Sequence, residues 1–139
     1  MGEVFLGDLD NVDFNRLICD LKSSSKNVGC ILLFIGSVRE ESFRGGSVKF
    51  LHYEAYEDLA LKVMRKIVED AEAFNDVFSA TILHSLGDRK VGSNTFIVGV
   101  AAKHRIIGFK VLRRIVERVK GEVPIWKKEI TDSGEYWIH

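Results

Sequence analysis

Lys120, Lys127 and Lys128 flank a turn that contains Pro124 and Trp126. A turn of this kind converges ammonium groups beside an aromatic wall, where desolvation lowers a lysine pKa toward a range useful for proton transfer or covalent catalysis. His104 and Arg105 stand where an apolar run gives way to a helical pattern. The free N–H groups and dipole of a helix start attract anions, and arginine adds a two-pronged donor for phosphate or carboxylate. The same spacing equally suits a capping histidine beside an exposed arginine. Arg39 follows another apolar run, at the position of a strand-end site residue. Lys110, Arg113, Arg114 and Arg118 read differently, as the solvated face of a helix.

Other chemistries lack their residues. His52, His84, His104 and His139 are scattered, with no HxH or CxxC pair, so no metal site is expected. His52 and His84 read as satisfied strand histidines. Nucleophile elbow, phosphate-binding loop and dinucleotide fingerprint are all missing, which removes the usual hydrolase, NTPase and nicotinamide readings. Cys19 and Cys30 fall within apolar patterns and read as core residues, not as persulfide carriers.

Composition bounds the rest. A chain of 139 residues with 46% hydrophobic and 29% charged residues predicts one domain, residues 1–139, with a core that needs no disulfide or metal. Twenty basic residues balance twenty acidic ones, yet residues 103–128 hold nine basic against two acidic, a local excess of +7. Whole-protein nucleic-acid binding is therefore not expected, and the basic stretch lacks the strand-spaced aromatics of a base-stacking platform. No apolar run approaches the ~20 residues of a spanning helix, Met1–Gly7 lacks the basic start of a signal peptide, and Leu6 stands where N-myristoylation wants Ser or Thr. Two cysteines without a paired motif suit a reducing compartment. The expectation is a cytoplasmic protein with no membrane attachment.

The elements that must position these residues follow from periodicity. Val4–Leu6 is a short strand. Asp10 or Asn11 would cap a helix whose Phe14, Leu17, Ile18 and Leu21 share a face. Val28–Val38 is nearly all apolar and predicts a strand buried on both faces. Ser47–Tyr56 alternates as a strand, and Glu57–Phe74 is an amphipathic helix. Val77–Leu86 and Thr95–Ala102 are strands joined through a link at Gly87–Gly92. The last helix runs from about His104 to Lys120, stopped by Gly121 and Pro124. Ile125–Ile130 and Glu135–Ile138 would close the chain as a hairpin. The order β-α-β-β-α-β-β-α-β-β predicts an α+β fold, not a doubly wound sheet.

Taken together, FIGSVRE at Phe34–Glu40, HYEAY at His52–Tyr56, HSLG beginning at His84, AAKHR at Ala101–Arg105 and VKGEVPIWKKE at Val119–Glu129 resemble, in order and spacing, the large catalytic subunit of molybdopterin synthase. The match runs from about Val28 to Trp137. The resemblance implies a single-domain α/β hammerhead-type fold, with a mixed or antiparallel sheet and packed helices. It implies a dimer of large subunits inside a heterotetramer, with a small ubiquitin-like sulfur-carrier subunit at each end. That carrier's C-terminal Gly-Gly tail would bring sulfur as a thiocarboxylate, and two sulfurs would pass to cyclic pyranopterin monophosphate to form the molybdopterin dithiolene. No cofactor and no metal are implied, since the partner supplies the sulfur.

By position, Lys120 and Lys127 match the family's catalytic lysines: Lys120 as acid/base or transient covalent partner, Lys127 as stabiliser of negative charge. His104, Arg105 and Arg39 match its pterin and phosphate pocket, Lys128 and Glu129 the same region, and Phe34 a wall of it. The sequence departs from the family at Ser85, where arginine is usual, and at His139, past which many members continue and lend a basic residue across the dimer. Two other readings stay open: a carrier-binding module without activity, and an RNA-binding protein using the +7 stretch.

Overall fold

The computed structural model describes residues 2–138; Met1 and the terminal His139 lie outside the described residues. The chain forms β1 (Val4–Gly7), α1 (Phe14–Lys22), β2 (Cys30–Ser37), β3 (Val48–Ala55), α2 (Glu57–Glu72), β4 (Val77–Ser85), β5 (Gly87–Lys90), β6 (Asn94–Ala102), α3 (Arg105–Glu122), β7 (Ile125–Thr131) and β8 (Gly134–Ile138). Two four-stranded sheets result, ordered β1-β4-β6-β2 and β5-β3-β7-β8. The first is mixed, because β1 runs parallel to β4 while β4, β6 and β2 pair antiparallel. The second is antiparallel throughout. This is the expected α+β arrangement.

Alternation along β4 and β6 feeds two cores. Ile82, Val98 and Val100 meet Met64 and Ile67 of α2 and Val111 and Ile115 of α3 on one face. Leu83, Ile97 and Ala101 meet Leu17 and Leu21 of α1 on the other. The strands buried on both faces are therefore β4 and β6. β2 corrects the expectation: it lies at the sheet edge, only Leu32 within it is buried, and Ile35 is 45% exposed.

Four local differences have physical causes. Asp13, not Asp10 or Asn11, caps α1, its carboxylate accepting from the Arg16 N–H at 3.1 Å; Asp8 instead accepts from the Asp10 N–H at 2.8 Å. Cys19 is exposed, since it lies two residues beyond Leu17 and so turns away from the buried face. The link at Gly87–Gly92 contains a strand, β5, paired to β3 from Phe50↔Lys90 to Tyr53↔Gly87. α3 continues through Gly121 to Glu122, because Arg118 ties the last turn to Glu122 (Nε to carboxylate 2.8 Å) and to Asp70 of α2 (2.8 Å). Pro124 remains the stop. Among the described residues no helix is long and apolar enough to cross a membrane.

Candidate active site

Where the helix-bearing sheet meets the second sheet, a cavity of about 500 Å³ opens. The ends of β2, β4 and β6 contribute Phe34, His84 and Phe96; β3 contributes Leu51 and Tyr53; β7 contributes Ile125, Lys127 and Glu129. The last turn of α3 adds Lys120, and the loop after β2 adds Arg39. Five of the sequence-predicted residues therefore line one cavity: Phe34, Arg39, Lys120, Lys127 and Glu129. A larger cleft of about 630 Å³, between α1 and the first sheet, holds none of them.

Each side chain is aimed by its element. Lys127 is registered opposite Tyr53 and Glu129 opposite Leu51, so these four share the inner face of the second sheet. Lys128 is opposite His52, on the outer face, where its ammonium sits 3.1 Å from Glu135 and 5.0 Å from the Trp137 ring centroid. Adjacent strand residues point to opposite faces, which is why Lys128 cannot join Lys127 in the cavity. Arg39 follows buried Val38, whose N–H donates to Ser93 (3.1 Å) and whose carbonyl accepts from Gly92 (2.9 Å).

Glu129 is only 6% exposed and is already engaged: its carboxylate accepts from the Ser42 hydroxyl at 2.6 Å and from the Phe43 N–H at 3.2 Å. It pins the loop that carries Arg39 and Glu41 against the cavity. Phe34 meets Phe96 edge-on with ring centroids 5.5 Å apart.

His104 and Arg105 stand elsewhere. They open α3, whereas Lys120 closes it about 22 Å away at 1.5 Å per residue. His104 caps the helix without a side-chain cap bond, and its Nε2 lies 3.6 Å from Asp76. Within one chain these two residues do not reach the cavity. Ser85, the departure from the family pattern, is fully buried and alternates with His84 on β4, so it faces away from the cavity.

Three cations, Arg39, Lys120 and Lys127, and two carboxylates, Glu41 and Glu129, line the cavity. Burial lowers the Lys127 pKa, Lys120 and Arg39 lower it further, and Glu129 opposes them. Burial likewise raises Tyr53, with a hydrogen bond to Thr95 acting the other way. His84 falls to about 4, chiefly through burial, with Lys120 and Lys127 adding to the effect and a backbone bond to Ser85 opposing it. In the sequence His84 and Tyr53 stand out only as members of the HSLG and HYEAY motifs, since a polar aromatic in an alternating strand looks like any other core position. A half-buried ammonium, an exposed lysine and a guanidinium thus face aromatic walls. Such an arrangement is suited chemically to anions, and its amines to proton transfer or addition to a carbonyl.

The model of the family described as MoaE protein matches residues 9–122. The molybdopterin synthase catalytic subunit of Pyrococcus abyssi (strain GE5 / Orsay) is 43% identical over 126 residues, which cover 91% of this chain and 84% of that protein. The crystal structure of molybdopterin synthase from Staphylococcus aureus superposes with a TM-score of 0.84 at 25% identity, covering 99% of this chain and 96% of that one. A protein-protein complex of subunits 1 and 2 of the molybdopterin-converting factor from Helicobacter pylori 26695 shares the fold, with a TM-score of 0.77 at 24% identity over 97% of this chain and 88% of that one.

Proposed function

The chain belongs to the MoaE protein family of molybdopterin synthase catalytic subunits, and from that membership we propose that it is the sulfurtransferase subunit that builds the dithiolene of molybdopterin. Sulfur arrives as a thiocarboxylate on the C-terminal Gly-Gly tail of a small ubiquitin-like subunit and passes, twice, to cyclic pyranopterin monophosphate. One observation carries the reading: Lys120 from α3 and Lys127 from β7 converge with Arg39 on one aromatic-walled cavity in a chain of zero net charge. An anionic phosphate and an anionic tail must meet there, and a local cationic site recruits both. Lys120 is the acid/base or transient covalent partner at the thiocarboxylate, Lys127 and Arg39 hold negative charge, and Phe34 walls the pterin. The working compartment is the cytoplasm.

The dimer belongs to the same proposal. Ile106 (72% exposed), Phe109 (64%), Arg113, Val116 and Lys120 recur at steps of three and four, so they share one side of α3. β2 leaves an open strand edge on the first sheet, and Ile35 is exposed there as well. A twofold interface is self-complementary, and with its axis perpendicular to α3 the two copies of the helix run antiparallel. The partner subunit's His104 and Arg105 then stand beside Lys120, supplying the phosphate-binding groups that one chain keeps about 22 Å away.

The test mixes the purified chain with thiocarboxylated small subunit and cyclic pyranopterin monophosphate and assays molybdopterin. Product is expected from the native chain. Lys120→Ala is expected to reduce it to background while keeping the native circular dichroism spectrum, because the residue is exposed. A folded, fully active Lys120→Ala would remove Lys120 from the chemistry.

A further inference from the structure

Among the described residues, Asp76 is the one residue other than glycine with a left-handed backbone, at φ 69°. It occupies the third position of the turn from α2 to β4, in which the Val77 N–H donates to the Phe74 carbonyl at 3.2 Å. Positive φ at that position suits glycine, then asparagine, and an aspartate there is strained. Its carboxylate stands 3.6 Å from His104 Nε2, an ion pair when the imidazole is protonated. The backbone that carries His104 is fixed independently. The Lys103 N–H donates to the Asp76 carbonyl at 2.8 Å, and a Cβ at Gly29 would come to 2.0 Å from the Lys103 carbonyl oxygen. The His104 carbonyl accepts from the Gly108 N–H at 3.2 Å, but the imidazole makes no capping bond and is half exposed. Among the described residues, Asp76 is the charged group that the structure pairs with that ring.

We propose that Asp76 is a positioning residue for His104: its carboxylate holds Nε2 of the imidazolium, so that Nδ1–H is presented to the phosphate of the substrate. The role rests on the proposed function, in which His104 and Arg105 bind that phosphate beside Lys120 across the twofold axis. An imidazolium donates from both nitrogens, so one is anchored to the carboxylate while the other meets the anion. Anchoring also restricts a half-exposed ring before the substrate arrives, which spares binding that loss of rotamer freedom. Glycine would suit the turn better but supplies no carboxylate. A carboxylate near the start of α3 also favours the helix dipole, but that structural role would lower stability on substitution and leave the ring's rotamer alone.

The test begins on the full chain with neither small subunit nor pterin present. Asp76→Gly removes strain and carboxylate together, whereas Asp76→Asn keeps the side-chain size, tolerates the same backbone and loses only the charge. At about pH 5.5, below the ordinary histidine value, three-bond couplings of His104 are expected to report one χ1 rotamer in the native chain and an average over rotamers in both variants. The urea midpoint of Asp76→Gly is expected to be no lower than native. Variants that leave the His104 couplings unchanged, or an Asp76→Gly chain less stable than native, overturn the proposal.

Molybdopterin synthesis gives the second arm. The KM for cyclic pyranopterin monophosphate is expected to rise about fivefold in both variants, the loss of an exposed ion pair near the top of its range, with kcat near native. A native KM in Asp76→Asn overturns the proposal equally. A native chain that forms no product removes the proposed activity instead, while the His104 couplings still decide whether Asp76 holds the ring.

Discussion

His84 makes stability depend on pH in a direction its burial dictates. Its pKa is about 4 in the folded chain against an ordinary 6.5, so between those values the unfolded chain takes up a proton that the folded chain refuses. The contribution is whole above about pH 6.5, is lost as pH falls toward 4, and amounts to on the order of 3 kcal/mol. Urea midpoints measured from about pH 7.5 to 4.5 should fall more steeply for the native chain than for His84→Gln, which cannot titrate. Parallel slopes would show that His84 is not buried neutral. Such a residue is hard to find from sequence, because a strand histidine that lines a cavity and one that fills a core have the same neighbours in the chain. Lys120, Lys127 and Arg39 are legible for the opposite reason: charged groups at a helix end, a turn and a strand end stand out against an apolar frame. Lys128 shares every sequence signal with Lys127, and strand alternation alone separates them.

At the scale of elements, the loop from Arg39 to Gly46 is tied to the second sheet by the Val48 N–H donating to the Glu40 carbonyl at 2.7 Å, by a bridge between Glu41 and Ser47, and by one side chain of β7. Glu129 accepts from both Ser42 and Phe43, while Arg44 stacks 4.5 Å from the Tyr136 ring centroid on β8. Glu129→Gln keeps the size but loses the charge, and an amide oxygen accepts only one of the two donors well. A charge-assisted bond contributes about 1.5–3 kcal/mol, so local opening of the loop becomes roughly tenfold more frequent. Hydrogen exchange of the Phe43–Gly46 amides should quicken by that factor while amides of β4 and β6 stay protected. Uniform acceleration would mean that Glu129 supports the whole fold. The helices are readable because a three- and four-residue period needs no partner to be recognised. β5 is not: Gly87–Lys90 becomes a strand only through pairing with β3 and the 2.6 Å contact of His52 with Asp88. β2 reads as central from an apolar run that an edge strand also carries, and the proposed second copy of the chain would cover that edge. Sequence records how apolar a strand is, not what covers it.

For the whole molecule, zero net charge means that anions are drawn by a local site, and two residues of the proposed site, His104 and Arg105, stand at the far end of α3. In the proposed dimer His104 and Arg105 serve Lys120 only across a twofold axis, and that proposal makes a strong demand on mixtures of inactive chains. Lys120→Ala and Arg105→Ala each spoil both sites of a homodimer. When the two variants are dissociated, mixed and reassembled, about half of the dimers are mixed, and each contains one site with both residues native. Recovery to about a quarter of native molybdopterin synthesis is the expected result. If each chain supplied its own Arg105, no mixed dimer would hold an intact site and nothing would be recovered. Phe109→Glu gives the matching control: a charge on the exposed apolar side of α3 should shift the chain to a monomer by light scattering, and should abolish recovery in the mixture although neither Lys120 nor Arg105 is touched. A Phe109→Glu chain that stays dimeric would move the interface away from this side of α3 and with it the partner's contribution to the site.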